Sequence, residues 1–191
     1  MQKAEVQIIF HLLQDKECAG KTIREIAEIA GVSVGSVHST LVTLTEQGYL
    51  IDKGQTRVLR KRDKLIDRWA QGYVETLRRK LVIGRFAFLA SAVKEQWRDI
   101  ILPSTCAWGG EPAVALEDGY LQPKEWSIYV TDNANALITT GRMIPNPQGE
   151  ITVYKRFWSA DEMPLLVVYA DLLATEDERC IEAANRIKPL L

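Results

Sequence analysis

Apolar positions in the first sixty residues keep a helical rhythm and then switch to strand-like runs. Val6, Ile9, Phe10 and Leu13 fall on one side of Met1–Gln14, with Lys3, Gln7 and Gln14 on the other, which predicts an amphipathic helix. Thr22-Ile23-Arg24-Glu25 is a capping box: the Thr hydroxyl takes the amide three residues on, and the Glu reaches back. It opens a second helix with Ile23, Ile26, Ala27 and Ala30 at helical spacing, stopped by Gly31 in a left-handed conformation. Val32 reads as a core residue of the turn, and Ser33 as the cap of a third helix running to about Gln47. Val37, Leu41 and Leu44 form that helix's buried stripe. Gly48 ends it, and two β-prone runs, Tyr49–Ile51 and Thr56–Arg60, flank a turn at Gly54-Gln55. Helix, turn, helix and hairpin in this order predict a winged helix-turn-helix over residues 1–62.

The pattern then changes scale. Asp63 is placed to cap a long helix running towards Leu81, with Ile66, Trp69, Tyr73 and Leu77 on one stripe. That stripe needs a covering surface: the winged domain, the second domain or a second copy of the chain, so a homodimer is one way to bury it. Residues 63–80 read as a connecting helix, with Arg78-Arg79-Lys80 a solvated, dipole-compatible end. Residues 81–191 read as a second domain that opens on the β-prone run Leu81–Phe88. A helix is expected over Ser91–Ile101, with Val93, Trp97 and Ile100-Ile101 apolar, followed by a strand at Trp126–Val130. A short helix over Asn135–Thr140 ended by Gly141, a turn at Pro145–Gly149 and a strand at Ile151–Phe157 come next. Helices over Leu165–Ala174 and Glu178–Leu190 close the chain. The fold class is α+β: an N-terminal winged helix-turn-helix, then a mixed α/β domain.

Charge sharpens the division. Residues 1–85 hold 15 Lys and Arg against 10 Asp and Glu, whereas residues 86–191 hold 9 against 15. Tyr49–Arg85 alone carries 11 basic and 4 acidic residues. A basic first half fits a polyanion, and an acidic second half fits something else. Cys18, Cys106 and Cys180 are isolated and odd in number, which argues against a disulfide framework. With only His11 and His38 as histidines, no metal site and no cofactor is expected. No signal-peptide pattern opens the sequence and no apolar run approaches the roughly 20 residues of a membrane span, so a cytoplasmic protein without membrane attachment is expected.

The third helix leaves Ser33, Gly35, Ser36, His38 and Ser39 exposed near its N-terminus, all small or polar, which suits entry into a major groove about 12 Å wide. Lys53, Arg57 and Arg60 in the hairpin supply cations for phosphates. Double-stranded DNA, a promoter or operator, is the partner these eight residues imply. The third helix holds no Arg or Lys, so base reading through it is weak or shape-dependent. The competing reading is a winged helix used only for domain packing or dimerisation.

In the second half Trp108-Gly109-Gly110-Glu111-Pro112 enters the run Ala113–Leu116, and its glycine pair exposes amides that a phosphate can use. Together with Gly119–Pro123, Val168-Tyr169-Ala170-Asp171-Leu172-Leu173-Ala174 and Arg179–Ala184, this set resembles the AbiEi-like family. These are transcriptional regulators that serve as antitoxins of bacterial type IV toxin–antitoxin, or abortive infection, systems. The resemblance covers most of the chain. It implies an N-terminal domain that binds the operon's own promoter and a C-terminal domain that counteracts a nucleotidyltransferase-like toxin. It assigns no individual role to Trp108, Gly109, Gly110, Glu111 or Asp171.

A Gly-Gly turn, a helix and a strand ending in an acid are also the order of a degenerate nucleotidyltransferase. That chemistry needs two carboxylates one residue apart to hold two Mg²⁺ ions. The strand here offers one acid, Asp132, with Tyr129 and Val130 where a pair is required. Glu111 then reads as a helix N-terminal charge, and Asp171, inside an apolar run, as a paired structural group. No catalytic residue is expected. Three functions stand at this point: an autoregulating DNA-binding antitoxin, a nucleotidyltransferase fused to a DNA-binding domain, and a ligand-sensing repressor.

Overall fold

A computed structural model describes residues 1–54, 56–119, 121–131, 133–140 and 142–191. The chain divides into two compact units, Met1–Leu77 and Arg78–Leu191. Gln55 of the hairpin turn, Tyr120, Asp132 and Gly141, which the sequence singled out, lie outside the described residues.

The first unit contains α1 (Lys3–Gln14), α2 (Ile23–Ala30), α3 (Val34–Glu46), strands β1 (Leu50–Asp52) and β2 (Arg57–Leu59), and α4 (Arg62–Gly72). The caps expected at Thr22 and Ser33 both form. The Thr22 hydroxyl accepts the Glu25 amide at 3.3 Å while Glu25 accepts the Thr22 amide at 2.7 Å. Ser33 Oγ accepts the Ser36 amide at 3.1 Å. Gly31 takes a left-handed φ of 62° between α2 and α3. The two helices meet at a bend of 110°, the angle of a helix-turn-helix. β1 and β2 pair antiparallel in the register Leu50–Leu59, making the wing.

Helix α1 is more deeply buried than its pattern suggests, since Ile8 and Leu12 join Val6, Ile9, Phe10 and Leu13 in the core. What covers it is α4. Ile66, Trp69, Tyr73 and Leu77 are all buried in this unit, with Trp69 stacked on Tyr73 at 5.1 Å and Phe10 5.7 Å away. The Trp69 indole donates to the Val6 carbonyl at 2.8 Å, satisfying a buried N–H. The stripe is thus covered by α1. The segment 63–80 is no free connector: its residues up to Leu77 complete the first unit. The long helix is also not uniform. It starts at Arg62 after Lys61 in a left-handed conformation, so Asp63 sits in the first turn and is not the cap. It widens to π-type hydrogen bonding over Tyr73–Leu77 and tightens to 3₁₀ over Arg78–Leu81.

The second unit is built on a five-stranded sheet of β3 (Val82–Phe88), β4 (Cys106–Gly109), β5 (Trp126–Val130), β6 (Met143–Pro145) and β7 (Ile151–Lys155), ordered β4-β5-β7-β3-β6. Among the described residues the neighbours β5 and β7 pair parallel and the other neighbouring strands pair antiparallel. Helices α5 (Ser91–Glu95), α6 (Gly110–Asp118), α7 (Asn135–Thr139), α8 (Leu165–Leu173) and α9 (Glu178–Ile187) complete the order. The expected helix over Ser91–Ile101 stops at Glu95. The backbone leaves helical geometry at Gln96, and a 3₁₀ turn carries Trp97 against Trp108 and Trp126, at 5.5 and 5.1 Å. Burying that indole outweighs the helical rhythm, and Ile101, expected on an apolar face, is left exposed. β4 and β6 had no strand signal: each is short, and its hydrogen bonds come from a partner distant in sequence.

Candidate functional site

In the first unit the sequence-selected residues separate into those that face outward and those used internally. Gly35, His38 and Ser39 lie exposed on α3. Ser33 is exposed but occupied as the cap, and the half-buried Ser36 hydroxyl lies 2.9 Å from that of Ser33. On the wing, Lys53 and Arg60 are exposed. Arg57 is not an outward cation. Its Nε donates to the Ala19 carbonyl at 3.0 Å and its Nη2 to that of Lys21, so it clasps β2 to the turn Cys18–Gly20 that precedes α2. A guanidinium with two donors committed to carbonyls fixes the wing's position more than it binds phosphate. Val34 and Val42, apolar and so without a polar signal in the sequence, join the outward surface of α3.

In the second unit, Gly110, Glu111 and Asp171 line one cavity of about 360 Å³, together with Arg78, Arg85, Ser127, Thr152 and Tyr154. The sheet explains the grouping. Gly109 pairs with Ser127, Ser127 with Thr152 and Thr152 with Arg85, one register row across β4, β5, β7 and β3. The glycines are there because side chains would not fit. A Cβ on Gly109 would stand 2.6 Å from the Tyr129 ring. Gly110 has a φ of 48°, with Ser127 Oγ 3.1 Å from where its Cβ would be. Trp108 takes no part in this cavity. It points to the opposite face of the sheet, into the Trp97–Trp126 cluster.

Four carboxylates line the cavity, Glu111, Glu125, Glu150 and Asp171, and the two buried ones, Glu111 and Asp171, are held by donors. Asp171 is 1% exposed. It accepts Arg78 Nε at 2.8 Å and the Tyr129 hydroxyl at 3.0 and 2.9 Å, one distance to each carboxylate oxygen. Asp171 also lies beside Gly110, its Cβ 3.5 Å from where a Gly110 Cβ would be. Burial pushes the Asp171 carboxyl above the ordinary carboxylate range, while Arg78, Tyr129 and Gly110 pull it back. Burial opposes the charge on Arg78 too, but Asp171, Tyr154 and Tyr129 more than offset it and keep the guanidinium firmly protonated. Arg78 lies over the Tyr154 ring at 4.8 Å. It is therefore a packed structural cation and not a solvated helix end, whereas Arg79 and Lys80 are exposed. Glu111, 2% exposed, accepts the backbone amides of Lys124 and Glu125, both at 3.1 Å, and sits 3.5 Å from Arg179. It ties the loop ahead of β5 to the start of α6, a larger role than a helix N-terminal charge.

Two family comparisons match the chain. The IclR helix-turn-helix domain matches residues 9–51, which run from α1 into β1 and so span the helix-turn-helix. The family described as transcriptional regulator, AbiEi antitoxin, type IV toxin–antitoxin system, matches residues 57–190, from the returning wing strand to the last turn. No curated protein and no solved structure matches the chain. Among the described residues no single helix is long and apolar enough to cross a membrane. With a DNA-binding helix-turn-helix ahead of a domain matched over well beyond half the sequence, the chain belongs to the AbiEi antitoxin family of type IV toxin–antitoxin transcriptional regulators, DNA-binding proteins that control their own operon and partner a toxin.

Proposed function

We propose that the first unit docks on the operon's promoter with α3 in the major groove and the wing on the phosphate backbone. In this reading the second unit counteracts a nucleotidyltransferase-like toxin without catalysing a reaction. The observation that carries the DNA reading is the outward surface of α3 and the wing. Gly35, His38 and Ser39 offer small or polar contacts on a helix-turn-helix bent by 110°, and the wing adds the exposed cations Lys53 and Arg60. The non-catalytic reading is supported by the two buried carboxylates of the cavity, Glu111 and Asp171, which are already satisfied by amides, a hydroxyl and guanidinium groups. A carboxylate serving two-metal chemistry needs its oxygens open to the ion. Because a single α3 offers few hydrogen-bonding groups to base edges, we further propose that two copies bind together, reading half-sites about one helical turn (~34 Å) apart.

The test is a titration of the full-length chain with duplex promoter DNA at two salt concentrations. Lys53→Ala with Arg60→Ala should weaken binding to every sequence and flatten the log–log salt slope by about 0.9 for each phosphate no longer neutralised. Arg57→Ala should instead lower the melting temperature of the first unit, because its clasp on Ala19 and Lys21 is removed. Unchanged affinity and slope in the Lys53/Arg60 variant would refute the wing assignment. Transfer of a nucleotide by the purified protein with Mg²⁺ would refute the non-catalytic reading.

A further inference from the structure

Among the described residues of the first unit, four large apolar side chains stand well exposed: Ile29 at 43%, Val34 at 49%, Val42 at 41% and Val58 at 37%. Two of the four are on α3. Val34, His38 and Val42 are spaced four apart, which lines them up as one ridge along the exposed side of the helix. The same helix buries Val37, Thr40, Leu41 and Leu44. Exposed apolar side chains cost little singly. A row of them on the helix that enters a groove has a chemical counterpart, because thymine alone places a methyl group on the major-groove edge of a base pair.

The polar inventory of α3 points the same way. It has no Arg, Lys, Asn or Gln, so neither the bidentate pairing to guanine nor that to adenine is open to it. Ser33 is spent on the cap, and the Ser36 hydroxyl is hydrogen-bonded to it. We propose that Val34 and Val42 read two thymine methyl groups in the operator, with His38 on the base edge between them. The helix rises about 1.5 Å per residue, so the two valines are about 12 Å apart, or three to four base-pair steps of about 3.4 Å. The assignment rests on the docking of α3 proposed above and adds the chemistry of what it reads: an operator with paired thymines at that spacing.

Full-length protein is first used to select tight-binding duplexes from a randomised library. Each thymine of the winning site is then replaced singly by deoxyuridine, which removes only the methyl group. Wild-type protein should lose about fourfold in affinity at each of two positions three or four base pairs apart, the worth of one buried carbon group. Val42→Ala should become indifferent to uracil at one of these positions and Val34→Ala at the other, with each variant's melting temperature unchanged. Such a cycle isolates the pair of partners from general weakening. Tight, sequence-specific binding with no uracil-sensitive position would overturn the assignment while leaving the docking intact. So would variants that remain as uracil-sensitive as wild type. A Val42→Ala protein that changes only its sedimentation behaviour would make the ridge a contact between copies and overturn it too. Selection of no duplex at low salt would defeat the docking itself, and this assignment with it.

Discussion

Replacing Asp171 by Leu is expected to destabilise the second unit by about 3 kcal/mol, the low end of the 3–5 kcal/mol typical of a buried pair deprived of one partner. The low end applies because the Arg78 side chain retains 20% exposure and keeps the Tyr154 ring beneath it. The substitution removes the carboxylate that accepts from Arg78 Nε and from the buried Tyr129 hydroxyl. Arg78→Met alone leaves Asp171 buried without its counter-ion, and its elevated pKa lets it protonate, so a smaller loss of about 2 kcal/mol is expected. The double variant removes both desolvation costs and should lie within about 2 kcal/mol of wild type, a coupling of about 3 kcal/mol or more. Urea unfolding of the full-length chain, followed by near-ultraviolet circular dichroism of the Trp97–Trp108–Trp126 cluster, reports on this unit. A loss below about 1 kcal/mol for Asp171→Leu, or a double variant that sums the two single losses, would show that the pair is not coupled as argued.

Further outcomes are expected from the ion pairs and close contacts of the second unit. A fragment of residues 78–191 should melt cooperatively at a higher temperature than one of residues 81–191, because only the longer fragment keeps Arg78 for Asp171; equal melting points would contradict this. If antitoxicity belongs to the second unit, the longer fragment should also rescue cells from the cognate toxin in an assay where full-length protein does. The Asp177 carboxylate is held down to about 2 by the Arg179 side chain and amide and by Lys124. A depressed pKa contributes stability above the unfolded value of 3.8 and loses it as pH falls through 2. The melting-temperature gap between wild type and Asp177→Asn should therefore be present at pH 6 and mostly lost by pH 2. A gap constant with pH would leave only the cap and not the charge. Gly109→Ala should cost about 1–3 kcal/mol, since its new methyl group meets the Tyr129 ring at 2.6 and 2.8 Å, and a thermal melt checks it.

Local chemistry made the first unit legible from its residues. Caps at Thr22 and Ser33, a left-handed Gly31 and the stripe Val37–Leu41–Leu44 each depend on neighbours within a turn or two, so the sequence itself carries them. The order of elements in the second unit was readable for the same reason wherever a strand was five residues or longer, as at β5 and β7. What the sequence could not decide were outcomes set by partners far along the chain. Arg57 and Arg78 look like free cations because their acceptors, the carbonyls of Ala19 and Lys21 and the carboxylate of Asp171, stand 36 to 93 residues away. That α8 stands Asp171 beside Gly110 was likewise set by the fold, since the two are far apart in sequence. The helix expected through Ile101 gave way because burying Trp97 between two distant tryptophans stabilises more than one further helical turn, a weak propensity that tertiary packing readily overrides. Val34 and Val42 were visible all along at their four-residue spacing from His38. Only the fold, by giving the core to Val37, Leu41 and Leu44, established that those two valines face outward.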